Sequence, residues 1–336
     1  MMSRNVPMQP SLSIVIPATS DVAALEDTLV SVLEKRPADC EIIVALGCEY
    51  DDPWNIRDEV RFVQAPVGSS LVACVNLGVA SSAGRVIHVL NAGWRATEGW
   101  TNGPLDHFDD DATVAVVPLT VSADDHERVV SAGIRCSRGG RRIEAVPGRH
   151  GSPKTAAPHA PALEAGFWRS DFLRQAGPGF STACGDSCAD ADMAVAVSRS
   201  GRTVVLDDTS RVVAGSSSGA RKGGFLAGLH AERLFWRSIA GRSLPVSLAA
   251  HVVEIVRHAV ARAPLGTLPM LLGRIVALMQ FGAYLPRYRQ LRSLMQESRE
   301  AVGETDVRTI RIDSAHAHPA RPKQEPPAAA PLRRSA

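Results

Sequence analysis

The first 90 residues alternate apolar runs with amphipathic stretches, and this pattern constrains the fold more than any other feature of the 336-residue chain. Four apolar runs predict buried strands, and two stretches with apolar residues at helical spacing predict helices. The strands are 12–16, 41–46, 60–63 and 86–90, and the helices are 21–35 and 69–82. Strands that are apolar throughout are typical of a parallel sheet covered by helices on both faces. The sequence therefore predicts an α/β fold with a Rossmann-like, mostly parallel sheet.

The remaining residues predict further elements and a division into four parts. We expect a strand at 113–118, helices at 162–176 and 190–200, and short strands at 203–206 and 210–213. Residues 225–300 are expected to be mainly helical, broken at Pro245, Pro264, Pro269 and Pro286. The predicted parts are a polar arm (1–10), an α/β domain (11–215), a flexible loop with a helical C-terminal segment (216–302), and a disordered tail (303–336).

The composition indicates a folded protein without a nucleic-acid partner. Hydrophobic residues make up 45% of the chain, which is enough to build a core. The net charge is only +2, so no global field attracts nucleic acid. Six cysteines are too few for a disulfide scaffold and are expected to be reduced thiols. Since we find neither an apolar signal sequence nor a run of about 20 apolar residues, we expect a cytoplasmic protein.

Several segments, taken in order, resemble one enzyme family. The opening SLSIVIPATSDVAALEDTLVSVLEK, followed by CEIIVALG, contains a strand ending in Ile-Pro, a helix and a second strand. ALEAGFWRSDFLRQAGPGF (162–180) and DADMAVAVSRSGRTVV (190–205) follow in the family's order. Together these segments resemble the family-2-like, inverting glycosyltransferases of GT-A fold. The stretch VSADDHERVVSAGI (121–134) is similar to rhamnosyl- and galactofuranosyl-transferase members.

The resemblance implies a GT-A-like fold and a reaction. A sugar passes with inversion from a nucleotide-sugar donor to a hydroxyl of a glycan or lipid-linked acceptor, in cell-envelope or exopolysaccharide synthesis. The resemblance implies Asp190 as the general base that takes the proton of this hydroxyl. The residues that it implies for nucleotide-sugar binding are Pro17, Ala18, Gly47, Asn76, Asn91, Gly93, Asp192, Arg221 and Lys222.

Three segments depart from the family's pattern for the donor site. Asn91-Ala92-Gly93 stands where the family has its metal-binding Asp-x-Asp motif. The acidic loop after the second strand is replaced by Ala45-Leu46-Gly47-Cys48, and Val213-Ala214-Gly215-Ser216 replaces a segment that often supplies a histidine. Because Mg²⁺ and Mn²⁺ prefer carboxylate oxygens, the ligands for such a cofactor are largely missing, and no metal-binding residue is predicted.

Two functions therefore remain open. In the first, the protein is a metal-independent glycosyltransferase in which Arg221, Lys222 and Arg95 neutralise the diphosphate, a group that arginine binds through its planar fork. In the second, the domain is a non-catalytic homologue that serves as a binding or scaffold subunit. Asp190 likewise has two interpretations, the general base or the cap of the predicted helix 190–200.

Three other segments have alternatives of their own. The apolar stretch 268–285, followed by three arginines up to residue 292, is expected either to pack on the domain or to lie on the inner membrane face through 268–292. The basic stretch 135–150 fits an anionic acceptor or lipid phosphate, or else an exposed hairpin. The acidic group 106–111 fits a solvated loop better than a metal site.

Overall fold

The computed structural model describes residues 10–146, 157–177, 179–215 and 224–315, with side chains described as far as residue 300. The strands are β1 (Leu12–Ala18), β2 (Cys40–Leu46), β3 (Val60–Gln64), β4 (Val86–Leu90), β5 (Arg95–Ala96), β6 (Thr113–Val121), β7 (Val129–Ser131), β8 (Ile134–Cys136), β9 (Arg142–Glu144), β10 (Ala165–Arg169) and β11 (Thr203–Val213). The helices are α1 (Val22–Lys35), α2 (Leu71–Ser81), α3 (Asn102–His107), α4 (Ser170–Gln175), α5 (Gly185–Ser200), α6 (Phe225–Ser238), α7 (Leu244–Arg262), α8 (Thr267–Met279) and α9 (Leu285–Ala315).

One large sheet organises the N-terminal part of the chain. Its strand order is β3-β2-β1-β4-β10-β6-β11-β5, with β7 paired to β6 outside this path. The pairs among β1, β2, β3 and β4 are parallel, as is the pair β6–β11, whereas β10 runs antiparallel to both of its neighbours. The predicted mostly parallel sheet is therefore confirmed, with an antiparallel strand inserted at its centre. A separate hairpin is formed by β8 and β9.

Helices cover both faces of the sheet because the side chains of β1 alternate between two apolar clusters. Val15 packs in a cluster with Val75 of α2 and Val197 of α5. Ile14 packs on the opposite face, in a cluster with Leu29 of α1. The alternation follows from the two-residue period of a strand, and it buries both faces as the apolar runs predicted.

The prediction of one helix at 162–176 is wrong. Strand β10 occupies the first half, with Phe167 paired to His88 of β4 and to Val116 of β6, and only the short helix α4 follows. Pairing on both sides satisfies the backbone groups of β10, and this tertiary context outweighs the helical spacing of its apolar residues. The two short strands expected at 203–206 and 210–213 form a single strand, β11, with an irregular register between Asp207 and Arg211.

Helix α5 is longer than predicted. It begins at Gly185 instead of Asp190 and ends at Ser200, and the next residue, Gly201, adopts the left-handed conformation typical of helix ends. Asp190 therefore lies within the helix, and its interpretation as the helix cap is wrong. Helix α9 continues to Ala315, beyond residue 303, where the tail was expected to begin.

Prolines mark helix starts in the C-terminal part. Pro245 occupies the first turn of α7, and Pro269 and Pro286 lie in the first turns of α8 and α9. By length and composition, α7 is apolar enough to cross a membrane. Helix α8 and the start of α9 meet the same criterion only when they are taken together, as a pair bent by 72°. The sequence analysis predicted no membrane-spanning helix, because it found no run of about 20 apolar residues. Only 11% of the apolar window of α7 is buried, which distinguishes it from a core helix.

The contact between α2 and β1 yields a test of the core. A Cβ atom on Gly78 would overlap Cγ1 of Val15. We expect Gly78→Ala to lower the free energy of unfolding in urea by about 1–3 kcal/mol, because close-packed cores do not accommodate an extra methyl group. Val15→Ala, introduced into the Gly78→Ala chain, is expected to recover part of this loss. Gly282→Ala is the matched control, since no atom lies within 4 Å of its Cβ position, and an equal loss there would contradict the prediction.

Candidate functional site

The carboxyl ends of β1, β2 and β4 meet at one edge of the sheet, which we call the donor edge. Backbone hydrogen bonds connect the predicted residues there. The amide of Gly47 donates to the carbonyl of Ala18 (2.7 Å), and the amide of Ala92 donates to the carbonyl of Pro17 (3.2 Å). The structure thus brings Pro17, Ala18, Gly47 and the segment 91–93 together, at the place where open α/β sheets bind ligands.

The segment 91–93 is fixed to its surroundings by its backbone. The amide of Gly93 donates to Oγ1 of Thr28 and to the carbonyl of Ala24, each at 2.8 Å, and the amide of Asn91 donates to the carbonyl of Glu164 at 2.8 Å. A Cβ atom on Gly215 would lie 2.7 Å from the carbonyl oxygen of Gly93. The chain therefore passes directly over this segment as it leaves β11.

Arg221 and Lys222 lie outside the described residues, in the segment that follows Gly215. Their role at the diphosphate stays a prediction. Arg95, in contrast, is described. It is exposed at the start of β5 and pairs with Val213 of β11. Of the three cations predicted to neutralise the diphosphate, Arg95 is thus the one whose position next to the donor edge the structure describes.

The residues of the donor edge do not fit a divalent cation. Asn91 offers one neutral amide oxygen and Gly93 has no side chain. Among the acids that follow β2, the buried Asp52 accepts a hydrogen bond from the amide of Ile56 and lies 3.3 Å from Nε of Arg57. Among the described residues, no group of three or more His, Cys, Asp or Glu side chains is placed to hold a metal. We therefore derive no catalytic step through a metal ion.

Asn76 holds a loop. Its Nδ2 donates to the carbonyl of Phe180 (2.8 Å), and its Oδ1 accepts from the amide of the same residue (2.7 Å). Both ends of the amide group are thus occupied by one backbone unit, which ties α2 to the loop before α5. In this arrangement the side chain is not offered to a nucleotide.

Asp190 is completely buried and paired with an arginine. Nε of Arg142, on β9, lies 2.9 Å and 2.8 Å from the two carboxylate oxygens, and the amide of Leu163 donates to one of them at 3.2 Å. Burial alone would lower the pKa of Arg142, but the adjacent Asp190 carboxylate raises it. A carboxylate in this arrangement fixes the β8–β9 hairpin to α5. Its role as general base stays a prediction and requires that the pair opens.

Asp192 is also buried in ion pairs. Arg237 of α6 donates to both carboxylate oxygens (2.8 and 3.1 Å), and Arg287 of α9 lies 2.8 Å from one of them. Burial would raise the pKa of the carboxyl, but Arg287 and Arg237 together hold it below its usual value. Asp192 thereby anchors the C-terminal helices to α5, and the described contacts leave it no direct access to a nucleotide.

A cavity of about 590 Å³ lies between the hairpin and the C-terminal helices, and we call it the basic cavity. The N-terminal turn of α5, α6, α7 and the residues that lead into β9 form its walls. Its lining is Gly139, Gly140, Arg141, Arg142, Asp186, Ser187, Cys188, Leu226, Ala227, His230, Ala231, Glu254, Arg257, His258, Ala261, Arg262 and Arg274. Five arginines and two acids line the cavity. Arg142 and Arg274 are neutralised by Asp190 and Glu232, whereas Arg141 and Arg257 share Glu254, and Arg262 has no acidic partner among the described residues. The remaining excess of positive charge makes an anionic or polar ligand the appropriate occupant.

Asp186 is the functional candidate that sequence reasoning missed. It lies half-buried in the first turn of α5, lines the basic cavity, and accepts a hydrogen bond from the amide of Val72 (2.9 Å) at the start of α2. Since the loop before α2 contacts Gly47, with the amide of Gly68 donating to the carbonyl of Gly47 (2.8 Å), Asp186 connects the cavity to the donor edge. Had the start of α5 been predicted at Gly185, Asp186 would have been recognised as a residue of its first turn.

No protein-family model and no curated protein sequence matches the chain. Solved structures do match. GalNAc-T7, in a crystal structure with UDP, GalNAc and Mn²⁺, has a TM-score of 0.53 and 15% identity, covering 72% of this chain and 52% of that chain. S. aureus TarS, residues 1–349, has a TM-score of 0.56 and 10% identity, covering 87% and 92%. The mannosyltransferase PcManGT from Pyrobaculum calidifontis, with GDP-Man and Mn²⁺, has a TM-score of 0.49 and 14% identity, covering 87% and 88%.

The chain thus spans about half the length of the GalNAc-T7 chain that it matches. The similar structures are GT-A-type glycosyltransferases, and the predicted GT-A-like fold with a helical C-terminal segment is confirmed. At these identities the similarity establishes the fold alone.

The ion pairs of Asp192 yield a test. We expect Asp192→Asn to lower the free energy of unfolding by about 3–5 kcal/mol at pH 7, because Arg237 and Arg287 keep their charge in a buried site. The folded pKa of Asp192 is depressed, so its contribution is complete above the unfolded value of about 4 and declines as the pH falls below it. The free energies of unfolding of wild type and variant are therefore expected to converge as the pH falls, and urea unfolding between pH 7 and pH 3 measures this.

Asp111→Asn is the control, because the Asp111 side chain is 99% exposed and lies 3.6 Å from Arg169. We expect this variant to change the stability by less than about 1 kcal/mol. A difference between wild type and Asp192→Asn that stays constant down to pH 3 would contradict the assignment of the depressed pKa to Asp192.

Proposed function

We propose that the protein is a glycosyltransferase that moves a sugar from a nucleotide-sugar at the donor edge to a hydroxyl of an acceptor in the basic cavity. The observation that carries this proposal is the hydrogen bond from the amide of Val72 to Asp186, which sets a carboxylate between the two sites. GalNAc-T7, whose fold is similar, was crystallised with UDP. A nucleoside diphosphate is therefore the ligand that we propose for the donor edge.

The donor edge offers arginine in place of a metal. Arg95 is exposed beside the segment 91–93, and Arg221 and Lys222 belong to the segment that begins after Gly215. We propose that these cations neutralise the diphosphate, since a guanidinium binds two phosphate oxygens at once. Glycosyl transfer creates negative charge on the leaving group, and fixed cations stabilise it in the transition state.

The reaction needs one base on the acceptor side. The acceptor oxygen attacks the anomeric carbon while the bond from that carbon to the diphosphate oxygen breaks, and the nucleoside diphosphate leaves with the electron pair. The proton of the acceptor hydroxyl passes to a carboxylate. Asp186, which lines the cavity, is available for this step in the described structure, whereas Asp190 requires that its pair with Arg142 opens.

The finer parts of the proposal come from the sequence resemblance. They are inversion at the anomeric carbon, a family-2-like enzyme of rhamnosyl- or galactofuranosyl-transferase type, and a glycan or lipid-linked acceptor in cell-envelope or exopolysaccharide synthesis. We also propose that the protein works in the cytoplasm, at the inner face of the membrane, where nucleotide-sugar donors are present.

A non-catalytic role is the second candidate, and one observation favours it. Asp190 and Asp192, the two acids that the resemblance assigns to the site, are buried in ion pairs, and the segment 91–93 has no carboxylate. In that case the protein binds a glycan or partner subunit without turnover. Donor binding and turnover distinguish the two candidates.

The donor site is tested by calorimetric titration with UDP, GDP and dTDP, each with Mn²⁺ and with EDTA. We expect one nucleotide to bind in EDTA, and Arg95→Ala and Arg221→Ala to weaken its binding about tenfold each, because each removes a charge-assisted hydrogen bond to phosphate. Arg202→Ala is the control, since Arg202 is exposed at the start of β11 and its guanidinium donates to the carbonyl of Asp111. Binding that strictly requires Mn²⁺ would contradict the metal-free site, and no binding of any nucleotide would support the second candidate.

The base is tested by turnover of the nucleotide-sugar that binds. We expect Asp186→Asn to lower kcat by about 10²–10⁴-fold with unchanged donor affinity, the usual effect of removing a general base. Asp106→Asn, in the helix before β6, is the control and is expected to leave kcat unchanged. If Asp190→Asn abolishes turnover while the unfolding curve and donor binding stay intact, and Asp186→Asn has no effect, the base is Asp190.

A further inference from the structure

Helix α7 has its polar side inward and its apolar side outward. Its buried positions are Ser247 and His251, and Glu254 and His258 line the basic cavity on the same side. The opposite side carries valines that are exposed to solvent, which are Val246, Val252, Val253, Val256 and Val260. A helix at the surface of a globular protein normally has the reverse arrangement.

Polar contacts explain why the inward side faces the domain. Nε2 of His251 lies 2.9 Å from a carboxylate oxygen of Glu232 on α6, and Nδ1 lies 2.8 Å from the carbonyl of Gly139. Nε of Arg141 lies 3.2 Å from Glu254. These contacts fix the rotation of α7 about its axis, so its valines are turned outward by the fold.

The apolar surface continues over the next helix. Leu265 in the connection is 89% exposed, and α8 has five exposed large apolar side chains, four of which follow one another at one-turn spacing. The surface that we call the apolar face consists of Val246, Val252, Val253, Val256, Val260, Leu265, Leu268, Leu272, Ile275, Met279 and Phe281. A concentration of exposed apolar side chains on two consecutive helices of this kind marks an interaction site.

The charges around the apolar face are positive. From residue 244 to residue 286 the sequence contains three arginines and a single acid, Glu254. That acid is already paired with Arg141 and Arg257. Within the described part of the chain, Arg262 has no acidic partner. Arg274 is buried and lies 2.7 Å from Glu232, so the excess positive charge comes from Arg262 and from Arg141 and Arg257, which share Glu254. An apolar surface with this positive charge complements an anionic bilayer. A second copy of the same surface would offer no acid to pair with these arginines.

The basic cavity borders the apolar face. Arg257 and Arg262 of α7 line the cavity, and so does Leu226, which is 60% exposed. Burial and the charges of Arg274, Arg262 and Arg257 lower the pKa of His258 to about 4. Arg274 donates to Glu232 and Arg257 donates to Glu254, so Arg262 is the guanidinium at this wall without an acidic partner among the described residues, and it can donate charge-assisted hydrogen bonds to a phosphate group.

We propose that the apolar face docks on an anionic lipid bilayer and that the basic cavity takes the phosphate of a membrane lipid head group. Val256, Val260 and their neighbours enter the interfacial region, and Arg257 and Arg262 meet the phosphate. Binding of the head group stands independently of catalysis. Only its identification as the lipid-linked acceptor, with the hydroxyl toward Asp186, rests on the proposed function.

Flotation of the full chain with vesicles tests the docking. We expect co-flotation with phosphatidylcholine vesicles that contain phosphatidylglycerol, and at least tenfold weaker partitioning of Val256→Asp/Val260→Asp. Val30→Asp on α1 is the matched control, because Val30 is 57% exposed and Val256 is 58% exposed. A wild-type chain that stays with the soluble fraction at low salt overturns the proposal. So does a wild-type dimer in solution that Val256→Asp/Val260→Asp converts to a monomer, since a second copy then covers the face.

Titration with short-chain lipids tests the cavity. We expect dihexanoyl phosphatidic acid to bind more tightly than inorganic phosphate or dihexanoyl phosphatidylcholine, and Arg262→Ala to weaken its binding at least tenfold. Arg202→Ala is the control for loss of an exposed positive charge. Bound phosphate is expected to raise the pKa of His258, which the NMR signals of its ring report. Equal affinity for inorganic phosphate, or equal affinity in Arg262→Ala, overturns the assignment to a lipid.

These binding measurements need neither a donor nor turnover. If lipid binds and no nucleotide does, the membrane site stands and the glycosyltransferase proposal fails. If a nucleotide-sugar is turned over with a soluble acceptor and no lipid or vesicle binds, the reverse holds.

Discussion

The fold depends on two carboxylates buried on one helix. Asp190 and Asp192 of α5 bind Arg142, Arg237 and Arg287, which come from β9, α6 and α9. Each carboxylate would be costly to bury alone, and each arginine would be too, so these elements stabilise one another only when all are in place. The sheet determines where α5 lies, and the ion pairs then determine where the hairpin and the C-terminal helices lie. The basic cavity is the space enclosed by this arrangement.

A buried carboxylate also explains why the polar side of α7 faces the domain and its apolar side faces outward. Glu232 is buried between His251 and Arg274, each within 2.9 Å, and Nε1 of Trp236 donates to its other oxygen at 2.8 Å. Satisfying that carboxylate places the polar side of α7 toward the domain. The valines then have no protein partner in the described chain. Because the polar contacts of α7 are made inside the protein, its valines can be removed from water only by an apolar environment outside the protein.

The sequence predicted the sheet better than the site. Apolar runs such as 12–16 and 86–90 are buried on both sides, so their periodicity is decisive. Strand β10 was not predicted, because it forms by pairing with β4 and β6, which are distant from it in the sequence. Asp190 was singled out by resemblance, and the sequence alone carries no sign that Arg142, 48 residues away, would neutralise it. The valines of α7 lie in the region 225–300, which was predicted only to be mainly helical, since spacing identifies an apolar stripe but not what covers it.

The donor edge and the basic cavity are linked through the start of α2. The loop 65–70 contacts the end of β2 through two backbone hydrogen bonds, from the amide of Ala65 to the carbonyl of Leu46 and from the amide of Gly68 to the carbonyl of Gly47. The amide of Val72, in the first turn of α2, donates to Asp186. A helix start provides amides without intrahelical partners, so a carboxylate is favoured there. The distance between the donor edge and the cavity is therefore set by a rigid helix packed on the sheet. The segment 91–93, which has no carboxylate, and the basic cavity are thus connected by one continuous set of backbone contacts, and arginine is present at both, as Arg95 beside the segment and as Arg262 in the cavity wall.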